Sequence, residues 1–177
     1  MSWLNSDGLY IKFAKEEGDA AQGGEFNSVN GTHTYEFKID YSEMLSATHA
    51  IVNGGDTTKG PYGVVLPEGL RITEVETFAQ TAFTSSGTIA SAQLDIGLKK
   101  RDRSTELDHN GLVTARAGSG HDAAGELEVL RVGSTGAGAL IGTTLSEDGV
   151  VVAANLQHGS HPYTAGVLIV RVRGYFP

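Results

Sequence analysis

A chain of 177 residues, 40% hydrophobic and without cysteine, is long enough to bury one self-sufficient core and excludes disulfides, thiolate nucleophiles and cysteine-based zinc sites. Its formal net charge of −8 argues against a general nucleic-acid binder, which must neutralise phosphates, and against docking on anionic lipid. The 24 glycines against 4 prolines, with no Gly-X-Y period, point to many short strands joined by tight turns.

Residues 1–29 read as an N-terminal arm and loop. Trp3, Leu4, Leu9, Tyr10, Ile11 and Phe13 lie close together, with one short strand expected over residues 9–13. Residues 15–24 are charged and Gly/Ala-rich, without strand period. Acidic and basic side chains through the first 20 residues leave no room for the apolar stretch of a secretory signal. No run approaches the roughly 20 apolar residues of a membrane span. The arm either packs on its own domain or clasps a neighbour, since a large aromatic near a terminus costs least when a surface covers it. On the second reading Trp3, Leu4, Tyr10, Ile11 and Phe13 are the partner-binding residues.

Residues 30–177 read as a single β-sandwich domain. Residues 34–40 give the clearest strand, with Tyr35, Phe37 and Ile39 on one face and Glu36, Lys38 and Asp40 on the other. Residues 42–50 suggest one helical turn, and 50–52 a short strand ended by the turn signal Asn53-Gly-Gly-Asp56. A strand over 64–66 and a turn at Pro67-Glu-Gly69 precede a longer strand over 70–79. Leu70 and Ile72 share a face there, but Val75 and Thr77 have the opposite parity, which predicts a bulge between them. Residues 83–87 read as a loop, 92–99 as an alternating strand, and 100–111 as a charged connection ending in the turn pair Asn110-Gly111. Short strands over 112–115 and 126–132 follow, then apolar stretches at 139–144 and 149–154. The last strand, 166–174, is the most β-branched run and is expected at the centre of a sheet. Eight to eleven strands without an amphipathic helix predict an all-β fold: an antiparallel, jelly-roll-like β-sandwich with an extended N-terminal arm, a partly closed barrel being the other solution.

Several patterns invite chemistry and do not sustain it. Gly133-Ser-Thr-Gly-Ala-Gly138 lacks the Lys-Ser/Thr of a phosphate loop and precedes no helix. Ser119-Gly-His-Asp122 holds the residue types of a hydrolase triad, but neighbours in one loop seldom converge as a triad must. His158 and His161 give two imidazoles where zinc normally takes three or four ligands. Glu74 and Glu76, like Glu126 and Glu128, share a strand face; carboxylate pairs serve glycoside hydrolysis, but the solvent face of a strand is the ordinary place for them. No cofactor, metal site or catalytic set is expected, and the chain reads as a non-enzyme.

Longer segments carry a resemblance. The order Met1-Ser-Trp-Leu-Asn-Ser-Asp-Gly-Leu-Tyr-Ile-Lys-Phe13, then Gly23-Gly-Glu25 and Tyr35-Glu-Phe-Lys-Ile-Asp40, is similar to the start of virion structural proteins of tailed bacteriophages. Leu94-Asp-Ile-Gly-Leu98, Asp108-His-Asn-Gly-Leu112, Gly136-Ala-Gly-Ala-Leu-Ile-Gly142 and Tyr163-Thr-Ala-Gly-Val-Leu-Ile-Val-Arg-Val172 resemble later segments of such proteins. The resemblance implies a capsid decoration (cement) protein on the exterior of the virion, assembled in the host cytoplasm. It further implies a homo-oligomer, most simply a homotrimer, that bridges subunits of the major capsid protein without contacting nucleic acid or membrane. A carbohydrate- or receptor-binding module of a tail or fibre is the alternative, with Tyr62, Tyr163, Tyr175 and Phe176 as its aromatics.

Overall fold

A computed structural model of the chain describes residues 2–4, 10–14 and 23–27 as backbone, and residues 31–45, 64–102, 105–156 and 159–177 with their side chains. In chain order the strands are β1 (Ser2–Leu4), β2 (Tyr10–Ala14), β3 (Gly23–Asn27), β4 (His33–Asp40), β5 (Val65–Leu66), β6 (Arg71–Ser85), β7 (Gln93–Lys99), β8 (Glu106–Ala117), β9 (Leu127–Leu130), β10 (Gly149–Asn155) and β11 (Tyr163–Tyr175). Short 3-10 turns occupy Tyr41–Glu43, Ile89–Ser91 and Gly118–Gly120.

From β4 onward the chain folds as one long antiparallel ribbon. β7 pairs with β8, β6 with β9, β5 with β10 and β4 with β11, each pair nested outside the last. Wrapping that ribbon brings β11 beside β6 and β10 beside β7, which closes two sheets of four: β4-β11-β6-β9 and β5-β10-β7-β8. This is the strand order of a jelly roll. The expected sandwich is therefore present. β1, β2 and β3 add an antiparallel meander to the outer edge of β4, so the first sheet has seven strands. One strand was expected in that segment, at residues 9–13; β2 lies there, and the described backbone pairs on either side of it.

The core sits between the sheets. Phe37, Ile39, Leu168 and Val170 from one side meet Leu94, Ile96, Leu98 and Val151 from the other, all buried. The alternation of β4 buries Tyr35, Phe37 and Ile39 as its period requires. β11 lies between β4 and β6, the central place that its Val/Ile-rich run predicts. The phase slip of β6 is a bulge: Arg173 faces Glu74 and Gly174 faces Ile72, so Thr73 is the extra residue and both Ile72 and Val75 reach the core.

Three expectations need correction. Residues 83–85 are not a loop, because β6 continues to Ser85 alongside β11. Asn110-Gly111 is not a hairpin turn, because β8 runs through it. Residues 139–144 form no strand. The backbone there takes turns, yet Leu140 donates its N–H to Gly111 (2.9 Å), and Ile72 donates to Thr143 (3.0 Å). That segment strings from the free edge of β8 to the free edge of β6 and covers both. The helical turn expected over 42–50 is a 3-10 turn at Tyr41–Glu43, capped by the Asp40 side chain; residues 46–63, with the expected strand at 50–52, lie outside the described residues.

The glycine-rich stretch 133–138 serves that edge. The Thr114 N–H donates to the Gly136 carbonyl (2.9 Å), and Gly138 lies so close to the backbone of Gly111 and Asn110 that a Cβ would overlap it. Gly138→Ala is expected to cost about 2 kcal/mol, the scale of overpacking against atoms that cannot rotate away, as read in urea unfolding.

Candidate interaction face

The outer side of the second sheet is largely closed. β7 and β10 are buried on both faces, and Leu45 packs on Val152 and Ala154 there. Asp95 and Lys99, on the polar side of β7, are each only 2% exposed. Burial pushes the Asp95 carboxyl up, although it accepts the Ala115 N–H at 2.6 Å, and burial pushes the Lys99 ammonium down against the pull of Asp102 and Glu106. Ala115 has φ of 46°, the left-handed region rare for a residue with a Cβ, and its amide is satisfied by that carboxylate. Asp95 is thus a backbone clasp.

Among the described residues nothing covers the outer side of the first sheet, and it carries an ordered set of charges. Register places Glu36, Arg171, Glu76 and Val129 in one row across β4, β11, β6 and β9. The next row holds Thr34, Arg173 and Glu74; the row on the other side holds Lys38, Ile169, Phe78 and Leu127. Arg171 donates from Nε to Glu36 (2.6 Å) and from Nη1 to Glu76 (2.5 Å). Arg173 bridges Glu76 (3.0 Å) and Glu74, and Arg131 donates to Glu74 from Nε (2.9 Å). The result is an unbroken alternation Glu36–Arg171–Glu76–Arg173–Glu74–Arg131, three of each sign.

Electrostatics follow from that order. Burial opposes ionisation of Glu74, but hydrogen bonds and charge from Arg173 and Arg131 outweigh it and hold the carboxyl below its ordinary range. Hydrogen bonds to Glu36 and Glu76 raise Arg171 further above its already high value. A carboxyl held ionised has no proton to give, so Glu74 is not poised as the general acid that glycoside hydrolysis needs. The second pair divides: Glu126 accepts the Ala123 N–H (3.1 Å), and Glu128 binds Arg116 across to the other sheet (2.7 Å). Beside the ladder the face turns apolar, with Phe78 and Ile169 half-buried, Leu127 59% exposed and Val129 37% exposed.

The partner residues expected from sequence fall on the same sheet. Trp3 pairs with Ile11, Ile11 with Phe26 and Phe26 with Thr34, which extends the Arg173 row through the meander. Phe13 pairs with Gly24 and Gly24 with Glu36, extending the Arg171 row, while Leu4 pairs with Tyr10. Sequence reasoning missed Arg171 and Arg173. Their signal is the parity they share in the last strand, and it carries meaning only once β11 is known to lie between two glutamate-bearing strands.

The other candidates separate. His121 is buried and its Nε2 lies 3.0 Å from the Thr77 hydroxyl, while Ser119 and Asp122 are exposed, so no triad converges. Burial, seconded by the Arg116 charge, pushes the His121 imidazole down to about 4, against the pull of Glu126. His161 accepts the Thr88 N–H through Nδ1 (3.0 Å), and His158 lies outside the described residues. Among the described residues no three His, Cys, Asp or Glu side chains gather as a metal site would need. Of the aromatics, Tyr163 is buried against Phe83, Tyr62 lies outside the described residues, and Tyr175 and Phe176 are exposed, with Phe176 edge-on to His33 at 4.8 Å. No protein-family model, no curated protein and no solved structure matches the chain.

Proposed function

We propose that the chain is a structural protein of a tailed-phage virion: a capsid decoration protein that binds the outer shell as a homo-oligomer, with the major capsid protein as its partner. The observation that carries this reading is the open face of the seven-stranded sheet. Six of its charges are locked in one neutral ladder and its apolar residues stand alongside, so that part of the face is pre-ordered and little entropy is lost when another protein covers it. A jelly roll is also an architecture of capsid domains, which is support by analogy of fold alone. Many weak copies on a shell add up through avidity.

Copy number tests it. Quantitative mass spectrometry of purified particles is expected to show the protein near parity with the major capsid protein; its absence from particles would refute the proposal. Deleting residues 1–13 is expected to weaken shell binding by about tenfold or more while residues 30–177 stay folded, because those residues extend the open sheet. Undiminished binding would remove the N-terminal strands from the interface. A glycan- or receptor-binding module is favoured only by exposed Tyr175 and Phe176, and a few copies per particle would point to it.

A further inference from the structure

Among the described residues β9 ends the first sheet, and none of them pairs with its outer edge. The Ala79 N–H donates to the Glu126 carbonyl (2.9 Å), so that carbonyl, and by alternation the amides and carbonyls of Glu128 and Leu130, turn toward β6, while the Glu126 N–H donates to the Ala123 carbonyl (3.4 Å). The amides and carbonyls of Leu127 and Val129 therefore turn the other way. Among the described residues no other segment hydrogen-bonds to them. Other stretches of edge are covered: that of β8 by residues 136–140, and that of β6 beyond β9 by residues 142–145. β9 has no proline, lysine or bulge to discourage pairing, and it offers exposed Leu127 and Val129 on its outer face.

We propose that β9 pairs antiparallel with β9 of a second copy about a twofold axis through Glu128. In that register Leu127 faces Val129 of the other copy and Val129 faces its Leu127. Both are then hydrogen-bonding positions, so all eight open backbone groups are satisfied by four bonds. The outer faces join into one sheet, and the apolar pairs meet across the junction. Glu128 comes opposite its own counterpart, the one contact that opposes pairing. It does not stand alone: Arg116 Nε already donates to each Glu128 carboxylate at 2.7 Å. Two carboxylates and two guanidiniums thus meet at the axis, a neutral set. A second copy is the occupant that the edge selects, because its own sequence supplies the matching open groups and matching charges. The contact is short, so pairing is weak and rises with concentration. It stands whether or not the chain coats a shell, and it predicts an even number of copies: two, or six where a threefold contact also operates.

Amide exchange by NMR, with sedimentation over about 10–500 µM, tests it. Expected is a rise in mass to an even copy number, with exchange at the Leu127 and Val129 amides slowing in step. Val129→Pro removes an N–H that faces the open edge and leaves the β6 ladder intact, so it is expected to weaken association at least about tenfold. Leu127→Lys, on the exposed face, is expected to do the same should the proline variant not fold. A protein that stays monomeric, one that forms only trimers, or an even oligomer unaffected by either substitution overturns the proposal.

Discussion

Lowering the pH from 6.5 to 4 is expected to remove about 3 kcal/mol of folding stability through His121 alone. In the unfolded chain this imidazole takes a proton near 6.5, but in the sandwich only near 4. Between those values the unfolded state binds the extra proton, so stability rises with pH there; it is fully present above 6.5 and lost as pH falls toward 4. The cause is position. His121 is 2% exposed, Phe83 packs edge-on to its ring, its carbonyl accepts the Phe83 N–H (2.8 Å), and the Arg116 charge disfavours a second cation. Glu74 acts in a lower window. Its depressed carboxyl contributes stability present above the ordinary value of 4.5 and lost below it. Urea unfolding across this range separates the two. His121→Gln, which can still meet Thr77, is expected to flatten the pH dependence above 4.5 and leave the acid limb in place. An unchanged slope in that variant would mean that His121 is protonated in the fold.

How much of this was legible depended on the range of the signal. Local period was enough for β4, for the central place of β11, and for the bulge at Thr73, because each is read from side-chain parity within a few residues. The nesting of β4 with β11 was not, since no local pattern says which strand lies beside a strand more than 120 residues away. Residues 139–144 misled for a related reason. Ile141 is buried and Leu140 packs against the core as in a strand, but their backbone is spent on covering two sheet edges, and composition does not distinguish the two. Asn110-Gly111 looked like a turn because Asn-Gly usually is one. Here the glycine leaves room for Gly138 and Leu140 instead. The same limit hid the ladder. Glu74 and Glu76 were visible as one strand face, yet only the register shows Arg171 and Arg173 between them and Glu36. His121 sits in a polar, glycine-rich stretch that reads as solvent-exposed, and only the closing of that stretch over the edge of β6 buries it.

Arg171→Met is expected to cost about 2–3 kcal/mol, less than the roughly 3–5 kcal/mol for breaking a fully buried ion pair, because the guanidinium is partly exposed. Among the described residues Arg171 alone joins β4 to β6 across β11, and its removal takes a cation from two carboxylates at once. Glu76, only 7% exposed, keeps Arg173 at 3.0 Å; Glu36 loses its bond from Arg171 Nε. Part of the cost is therefore the charge left on buried Glu76 beside a single remaining guanidinium, while solvent partly relieves Glu36. That view makes a sharper prediction than the single variant. Replacing Glu36, Glu76 and Arg171 together by uncharged side chains of similar size is expected to recover most of the loss, and the coupling between Arg171 and Glu76 in a double-mutant cycle to exceed about 1 kcal/mol. The pair Lys100–Glu147, also in contact at 3.1 Å but with both side chains about 40% exposed, sets the contrast: its coupling is expected below about 0.5 kcal/mol. Equal couplings at the two sites would mean that the ladder is solvated like any surface pair, and the sheet face would lose its claim to be pre-ordered. A large coupling at Arg171 alone means that the charges act as a frame, holding β4, β11 and β6 in register beneath the surface that a partner would meet.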